Sequence, residues 1–212
     1  MLLPCLLSDK KHHVVLGIIT NSQFHYGYYN NRIFNYFLMF QEALRAFNGS
    51  GIFWVDSSAR FHSSNIISLQ NIALHSDGVC AFGAVGHSVF AVTPPEMFRF
   101  LPMVKDSKKA ECRMGGLLLL YRTEFAIDNI LRWWVACALS PTCIYSEPNR
   151  RCRFPRDAWK VFAKCSRYDQ AALSIILYNT FSNSAQILGP APSKKGIIEI
   201  QRGGKSNKVK NC

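Results

Sequence analysis

The stretch "FWVDSSARF", residues 53–61, decides how the chain is interpreted. Apolar and aromatic residues run straight into Asp56, and two serines and Arg60 follow. Such a run predicts a buried strand that ends at Asp56. The acid then has two interpretations. It either accepts hydrogen bonds from the amides of the turn that follows, or it marks a ligand site at the carboxyl end of a sheet strand.

The segments before this strand predict a strand–helix–strand unit. "HVVLGIIT" (13–20) reads as a buried strand, and residues 32–47 read as an apolar helix with one polar side that ends at "NGSG". This unit favours a parallel strand pair with a right-handed crossover.

The segments after this strand alternate between further strands and helices. Strands are predicted at "GVCAF", "HSVFAVT", "GGLLLLYR" (115–122), "AQILG" and "IIEIQ". Helices are predicted after "SSN" (63–65), at "TPPEMFRFLP", at 123–139, at "RDAWKVFAKC" and at "SRYDQAALSIILYNTF".

The order of these elements predicts a single α/β domain with a mixed, mostly parallel sheet flanked by helices. Residues 1–30 form a poorly defined amino-terminal segment with one strand, and residues 31–189 form the domain. Residues 190–212 are predicted to be a disordered tail, because they carry six basic residues and one acid.

The charge balance favours anionic partners. The chain has 25 Lys and Arg against 13 Asp and Glu, a formal net charge of +12. Seven basic residues and one acid, Asp157, lie between Arg150 and Arg167. No zinc-finger, helix-turn-helix or RNA-recognition pattern accompanies them, which argues against nucleic acid as the partner.

Four of the eight cysteines lie close together, at 137, 143, 152 and 165. No C-x-x-C pattern occurs, so the spacing favours two disulfides over a zinc site, with buried free thiols as the alternative. A nested pairing, Cys143–Cys152 inside Cys137–Cys165, is predicted, since Pro148 turns the chain between the inner pair. Disulfides imply an oxidising compartment.

The first residues, "MLLPCLLSDKK", do not match a signal peptide, because the apolar run is short and contains Pro4. No window of about twenty apolar residues predicts a membrane span. Either the protein is not exported, which makes it cytoplasmic, or this sequence lacks its natural amino terminus.

Five stretches occur in an order that resembles a known domain family: "FWVDSSARF", "GHSVFAVTPPEMFRFLP", "GGLLLLYRTEFAIDNILRWWVACAL", "CIYSEPNRRCRF" and "CSRYDQAALSIILYN". The family is an uncharacterised one, expanded in nematodes, whose pattern is similar to that of nucleotide-sugar glycosyltransferases with the GT-A type of fold. The resemblance covers residues 30–180 and implies a GT-A-like fold. With the cysteines, it implies the lumen of the secretory pathway, in the Golgi or outside the cell.

The resemblance implies that Asp56 is the first acid of an Asp-x-Asp that binds the ribose and a metal, Mn²⁺ or Mg²⁺. Ser58 stands at the second acid position, and a hydroxyl is a poorer ligand for these hard cations than a carboxylate. The metal is then bound otherwise, or Arg153, Arg167 or another basic residue neutralises the donor diphosphate. The alternative for Asp56 is the turn described above.

The resemblance also places Asp169 and Gln170 at the catalytic position that faces the sugar or the acceptor. The spacing from Ser166 to Asp169 fits a helix capping box, and this local role remains open beside the catalytic one. Relatives usually carry His where Ser166 and Pro94 stand.

Five further positions have both a binding and a structural interpretation. Gly115 and Gly116 would let a backbone approach a bound sugar, although a bulge or tight strand entry is the more common reason for such glycines. Trp133 and Trp134 are predicted to be core aromatics, and His87 a buried histidine.

The resemblance thus predicts a glycosyltransferase that moves a sugar from a nucleotide-diphosphate donor to an acceptor hydroxyl. The alternative is a catalytically inactive relative that acts as an interaction module, favoured by Ser58, Ser166 and Pro94. A methyltransferase is disfavoured, because no glycine-rich loop follows the first strand.

Overall fold

The structure is a computed structural model that describes residues 5–9, 12–19, 51–56, 58–63, 66–144, 149, 151–154, 156–183, 185–193 and 195–201. For 5–9, 12–19 and 84 the backbone alone is described. The strands among these residues are β1 (Cys5–Asp9), β2 (His12–Ile19), β3 (Gly51–Asp56), β4 (Ala59–Phe61), β5 (Val79–Ala81), β6 (Ala84–Ser88), β7 (Glu111–Arg113), β8 (Leu117–Tyr121) and β9 (Ile198–Ile200). The helices are α1 (Ile67–Leu74), α2 (Val89–Val92), α3 (Pro95–Phe100), α4 (Glu124–Ala126), α5 (Arg132–Leu139), α6 (Pro141–Ile144) and α7 (Tyr168–Thr180), with a π-helical turn (Ile127–Leu131) joining α4 to α5.

The largest sheet has five strands in the order β1-β2-β3-β8-β5. The pair β2–β3 is parallel, as predicted, and the other three neighbouring pairs are antiparallel. The prediction of a mostly parallel sheet is therefore wrong for the described strands. All five residues of β8 are buried. An apolar run of this kind fits the centre of a sheet in either direction, so the sequence does not reveal that β8 runs opposite to β3.

Successive residues of β8 pack alternately into two cores, as the two-residue period of a strand requires. Leu118 and Leu120 join the core that contains α7, whereas Leu117 and Leu119 join the core that contains Leu69 of α1. Helices thus pack against both faces of the sheet, and the predicted α/β arrangement of the domain is confirmed at this level.

The long apolar helices lie where the sequence predicts them. The segment 123–139 is helical from Glu124 to Leu139, and Thr123 caps its start by accepting a hydrogen bond from the amide of Ala126. The residue at the centre of its apolar stripe, Trp134, is 3% exposed. Trp133 is 51% exposed, so the prediction that it is a core aromatic is wrong.

Two predictions of secondary structure are wrong because a polar side chain accepts hydrogen bonds from nearby backbone amides and changes the local structure. "HSVFAVT" is not a strand throughout: Ser88 accepts a hydrogen bond from the amide of Ala91 and begins α2. "RDAWKVFAKC" is not a helix, because the Asp157 carboxylate accepts hydrogen bonds from the amides of Trp159 and Lys160 and holds the chain in a turn.

The ends of the chain differ from their predicted boundaries. Residues 5–19 contain two paired strands rather than one. In the segment predicted as a disordered tail, β9 pairs with β4 and Ile198 is 3% exposed, so the fold extends to at least Gln201. The predicted helix at 32–47 and the residues after 201 lie outside the described part of the chain.

The four clustered cysteines form two disulfides, but the nested pairing is wrong. Cys137 bonds to Cys143 and Cys152 bonds to Cys165, each with a Cα separation of 5.2 Å. Helix α5 ends at Leu139, and the turn into α6 brings Cys143 back beside the last turn of α5. The remaining cysteines with described side chains, Cys80 and Cys112, are buried free thiols.

Candidate functional site

Asp56 is the last residue of β3 and is exposed. Its amide donates to the carbonyl of Gly116 at 2.7 Å, which ties the end of β3 to the start of β8. Its carboxylate accepts a hydrogen bond from the amide of Ser58 at 2.9 Å. The turn interpretation of Asp56 is therefore confirmed, while its role toward a donor or a metal stays a prediction.

Gly115 and Gly116 lie where two other residues approach the backbone closely. A Cβ atom on Gly116 would lie 2.9 Å from Cβ of Asp56, and one on Gly115 would lie 2.9 Å from Cβ and 3.0 Å from Cα of Gln170. Real Cβ atoms do not come this close to other carbons. The glycine pair therefore allows Asp56 and the amino-terminal end of α7 to pack against the same short segment.

Asp169 lies in the first turn of α7, beside Gln170 and half-buried. Its carboxylate accepts a hydrogen bond from the amide of Gln170 at 2.9 Å. The pKa of the Asp169 carboxyl is raised to about 6, chiefly by burial and in smaller part by the negative charge of Asp56. Hydrogen bonds from the amides of Gln170 and Asp169, and the positive charge of Arg167, oppose this rise. The structure thus brings the two predicted acids together at one end of the sheet. We call Asp56, Gly115, Gly116, Asp169 and Gln170 the two-acid site.

The backbone of Asp169 is fixed by Trp134, whose indole Nε1 donates to the Asp169 carbonyl at 3.1 Å. Ser174, one helical turn after Gln170, donates its hydroxyl hydrogen to the Gln170 carbonyl at 2.7 Å. The same hydroxyl oxygen accepts a hydrogen bond from the amide of Arg113 on β7 at 2.9 Å. Sequence reasoning missed both supports, although a serine four residues after Gln170 on a helix is a recognisable signal for the second.

The predicted capping box at α7 is wrong. The residue before the helix is Arg167, without a side-chain cap, and Ser166 instead accepts a hydrogen bond from the amide of Tyr168 at 3.1 Å. Tyr168 and Lys164 have φ angles of 29° and 48°, in the left-handed region that non-glycine residues rarely adopt. Because such conformations cost free energy, the surrounding contacts must hold this entry to α7 in place.

Of the two arginines predicted to neutralise the donor diphosphate, Arg167 acts on the two-acid site, and Arg153 does not contact it in the described part of the chain. The positive charge of Arg167 lowers the pKa of Asp169 and also that of His87, so it lies within electrostatic range of both. Arg153 is exposed on the disulfide-closed loop, and no contact of the described residues joins it to either acid. Ser58 belongs to the turn after β3, where its carbonyl accepts a hydrogen bond from the amide of Gln201 at 2.9 Å.

His87 is buried, as predicted, and lies outside the two-acid site. Its ring stacks on Phe154 with centroids 4.8 Å apart, and Nδ1 lies 3.2 Å from the carbonyl oxygen of Ser88. Burial lowers the pKa of its imidazole, so the ring is neutral at pH 7. The thiol of Cys112 is also unsuited to catalysis, because burial raises its pKa to about 12.

The described residues contain no group of three or more His, Cys, Asp or Glu side chains that could bind a metal ion. The two-acid site offers two carboxylates, each with an oxygen bonded to an amide, and a serine at the position where a further acid would stand. These residues do not fit a metal centre built from protein ligands. Nor is any helix in the described part of the chain long and apolar enough to cross a membrane.

The raised pKa of Asp169 predicts a pH dependence of stability. A carboxyl titrates near 3.9 in an unfolded chain, so between about pH 4 and pH 6 the folded protein binds more protons. The stabilisation is therefore complete below about pH 4 and is lost as pH rises through about 6. Asp169→Asn removes this dependence. Relative to wild type, we expect the free energy of unfolding of the variant to rise by about 2 kcal/mol from pH 4 to pH 7.

Urea titrations at several pH values check this expectation, with Glu96→Gln as the control. Glu96 is an exposed carboxylate on α3 and is not part of the two-acid site. Parallel pH curves for wild type and Asp169→Asn would contradict the burial-driven shift.

Comparison of the chain with protein-family models, with curated proteins and with solved structures finds no match, so any function must be argued from this geometry.

Proposed function

We propose that the two-acid site binds a nucleotide-diphosphate sugar and transfers its sugar to an acceptor hydroxyl, in a protein of the GT-A-like type. The observation that carries the proposal is the position of Asp169, a carboxyl with a pKa of about 6, beside Asp56 at the carboxyl end of β3. A base is most effective when its pKa lies near the working pH, so Asp169 suits proton transfer at neutral pH.

In this mechanism Asp169 takes the proton of the acceptor hydroxyl while the acceptor oxygen bonds to the anomeric carbon. The bond from that carbon to the diphosphate breaks, and the diphosphate leaves with the electron pair. Asp56 binds the ribose hydroxyls, and Gln170 positions the sugar or the acceptor. No step runs through a metal, because the residues present do not fit one. Arg167 supplies positive charge for the leaving diphosphate, and catalysis rests on positioning and charge neutralisation.

The two disulfides support a location in an oxidising compartment, and we place the protein in the lumen of the secretory pathway or outside the cell. A cytoplasmic location is the alternative. It predicts that the four paired cysteines are reduced in the protein isolated from its source, which thiol labelling under denaturing conditions measures.

A second candidate function is that of a non-catalytic interaction module with the same scaffold. The observation that favours it is the hydrogen bond from the Ser58 amide to the Asp56 carboxylate, which gives the acid a structural use that needs no ligand. Ser58 itself provides no second carboxylate.

One experiment distinguishes the transferase from the interaction module. The purified chain is titrated with a panel of nucleotide-diphosphate sugars, with and without Mn²⁺, and binding is measured by calorimetry. We expect at least one donor to bind, and Asp56→Asn to weaken that binding by about tenfold or more. Glu96→Gln, which also removes one exposed carboxylate, should bind as wild type does. A folded chain that binds no donor would favour the interaction module.

A further inference from the structure

Two basic segments that are distant in sequence lie on either side of α2. On one side, the amides of Val89 and Phe90 donate to the carbonyls of Ala110 and Ser107. On the other side, the amide of Ala163 donates to the carbonyl of Ala91 at 2.9 Å. Helix α2 therefore joins the segment 107–110 to the loop 151–165. We define the basic platform as the exposed cations of these two segments, leaving out Lys109 because it pairs with Asp106: Lys108, Arg151, Arg153, Arg156, Lys160 and Lys164.

The six cations of the basic platform outnumber the acids beside them, Asp106 and Asp157. Within the described residues, none of its six side chains forms an ion pair. The carboxylate of Asp157, the one acid in the loop, accepts hydrogen bonds from the amides of Trp159 and Lys160. These bonds lower its pKa, and the positive charge of Lys160 adds a smaller effect in the same direction. Asp106 lies 3.7 Å from Lys109, which is not part of the platform.

A disulfide and hydrogen bonds to Ser88 fix the backbone of the described part of the loop. The disulfide between Cys152 and Cys165 closes it. Ser88 fixes its middle: the Ser88 hydroxyl donates to the carbonyl of Trp159 at 2.7 Å, and its amide donates to the carbonyl of Ala158 at 3.1 Å. A preorganised surface loses less conformational entropy on binding than a flexible one.

Two apolar side chains are exposed among these cations. Phe154 is 39% exposed, although its ring also stacks on His87, and Val161 is 46% exposed next to Lys160. Flat or branched apolar groups between cations suit a ligand that has both anionic groups and C–H faces. An acidic sugar chain has both, since its rings carry sulfate or carboxylate groups around an apolar face.

From these observations we propose that the basic platform binds a polyanionic glycan, a chain that carries sulfate or uronate groups. The disulfides favour a glycan over other polyanionic ligands, because disulfides are typical of proteins in an oxidising compartment. Nucleic acids and the strongly anionic lipid leaflet lie on the cytoplasmic side of the membrane, away from that compartment. Binding by such cations is electrostatic and weakens as salt rises.

The platform continues toward the two-acid site through Arg167, which follows Cys165 and precedes Asp169 by two residues each. The amide of Arg167 donates to the carbonyl of Val92, the last residue of α2, at 3.2 Å. The bound glycan is thus placed to supply the acceptor hydroxyl. This last assignment rests on the proposed function, whereas binding of the glycan does not.

The test is a calorimetric titration of the full chain with a sulfated oligosaccharide, at several salt concentrations. Lys160→Gln combined with Lys164→Gln should weaken binding at least tenfold and make log Kd less dependent on log salt. Arg132→Gln combined with Lys195→Gln is the matched control, since both residues are exposed and the net charge changes equally. This control should bind as wild type does. Circular dichroism checks that every variant is folded.

Three results would overturn the proposal. One is equal loss of affinity in the platform and control variants, which would mean that net charge alone governs binding. The second is an affinity for single-stranded DNA or for anionic phospholipid vesicles that equals or exceeds that for the sulfated chain at the same salt. The third is no binding of the sulfated chain at low salt. Glycan binding without donor binding would reject the proposed transfer function and leave the platform intact.

Discussion

Asp169→Asn is expected to lower the rate of sugar transfer by roughly 10²- to 10⁴-fold, the usual contribution of a general base. The amide keeps the size of the side chain and the hydrogen bond from the Gln170 amide, but it cannot accept a proton. Donor affinity should change little, because Asp56 and the basic residues make the donor contacts in the proposed mechanism. Initial rates and donor titrations on the same preparations measure the two quantities separately.

The pH profile makes this test specific. The wild-type rate should rise as the Asp169 carboxyl ionises near pH 6, and the variant should lack this rise. Glu96→Gln should retain the wild-type profile. If Asp169→Asn transfers sugar at the wild-type rate, then Asp169 is not the base.

Removing the disulfide between Cys152 and Cys165, by changing both residues to Ala, is expected to lower the free energy of unfolding by about 3 kcal/mol. This value follows from the entropy that the closed loop removes from the unfolded chain. The bond also holds the loop next to Lys164, whose left-handed backbone is unfavourable without support. Urea denaturation monitored by tryptophan fluorescence measures the loss.

The second disulfide provides the comparison for this prediction. Cys137 and Cys143 are separated by 6 residues in sequence, against 13 for Cys152 and Cys165. The double Ala variant of the shorter loop should therefore lose less, roughly 2.4 kcal/mol on the same entropy argument. A larger loss for the shorter loop would show that packing around Cys137 and Cys143, rather than chain entropy, dominates their contribution.

Local patterns predicted the elements whose signals are long and periodic. The apolar run after Gly116 predicted β8, and the stripe around Trp134 predicted the helix that ends at Leu139. The segment after Ser88 was misread, because Val89, Phe90 and Val92 favour a strand by composition. Tertiary contacts on both sides of α2, together with the Ser88 cap, override that preference.

Part of the candidate site was predictable and part was not. The carboxyl end of a strand at Asp56 and the start of a helix near Asp169 follow from local sequence, and the structure places both acids at the same end of the sheet. The contact of Gly115 with Gln170 joins residues 55 positions apart and depends on how closely β8 and α7 pack, which no local pattern reports. The cysteine pairing failed for a related reason, since spacing alone permits three pairings of four cysteines.

The pairing of β4 with β9 has a consequence for synthesis of the protein. Phe61 pairs with Ile198, so 137 residues must be added after β4 before its partner exists. At ribosomal rates this takes about 7 to 27 seconds. During that time β4, which begins three residues after Asp56, is an open strand edge that any complementary segment can occupy. The strand that follows the turn at Asp56 therefore gains its pairing partner, β9, only after residues 198–200 have been translated.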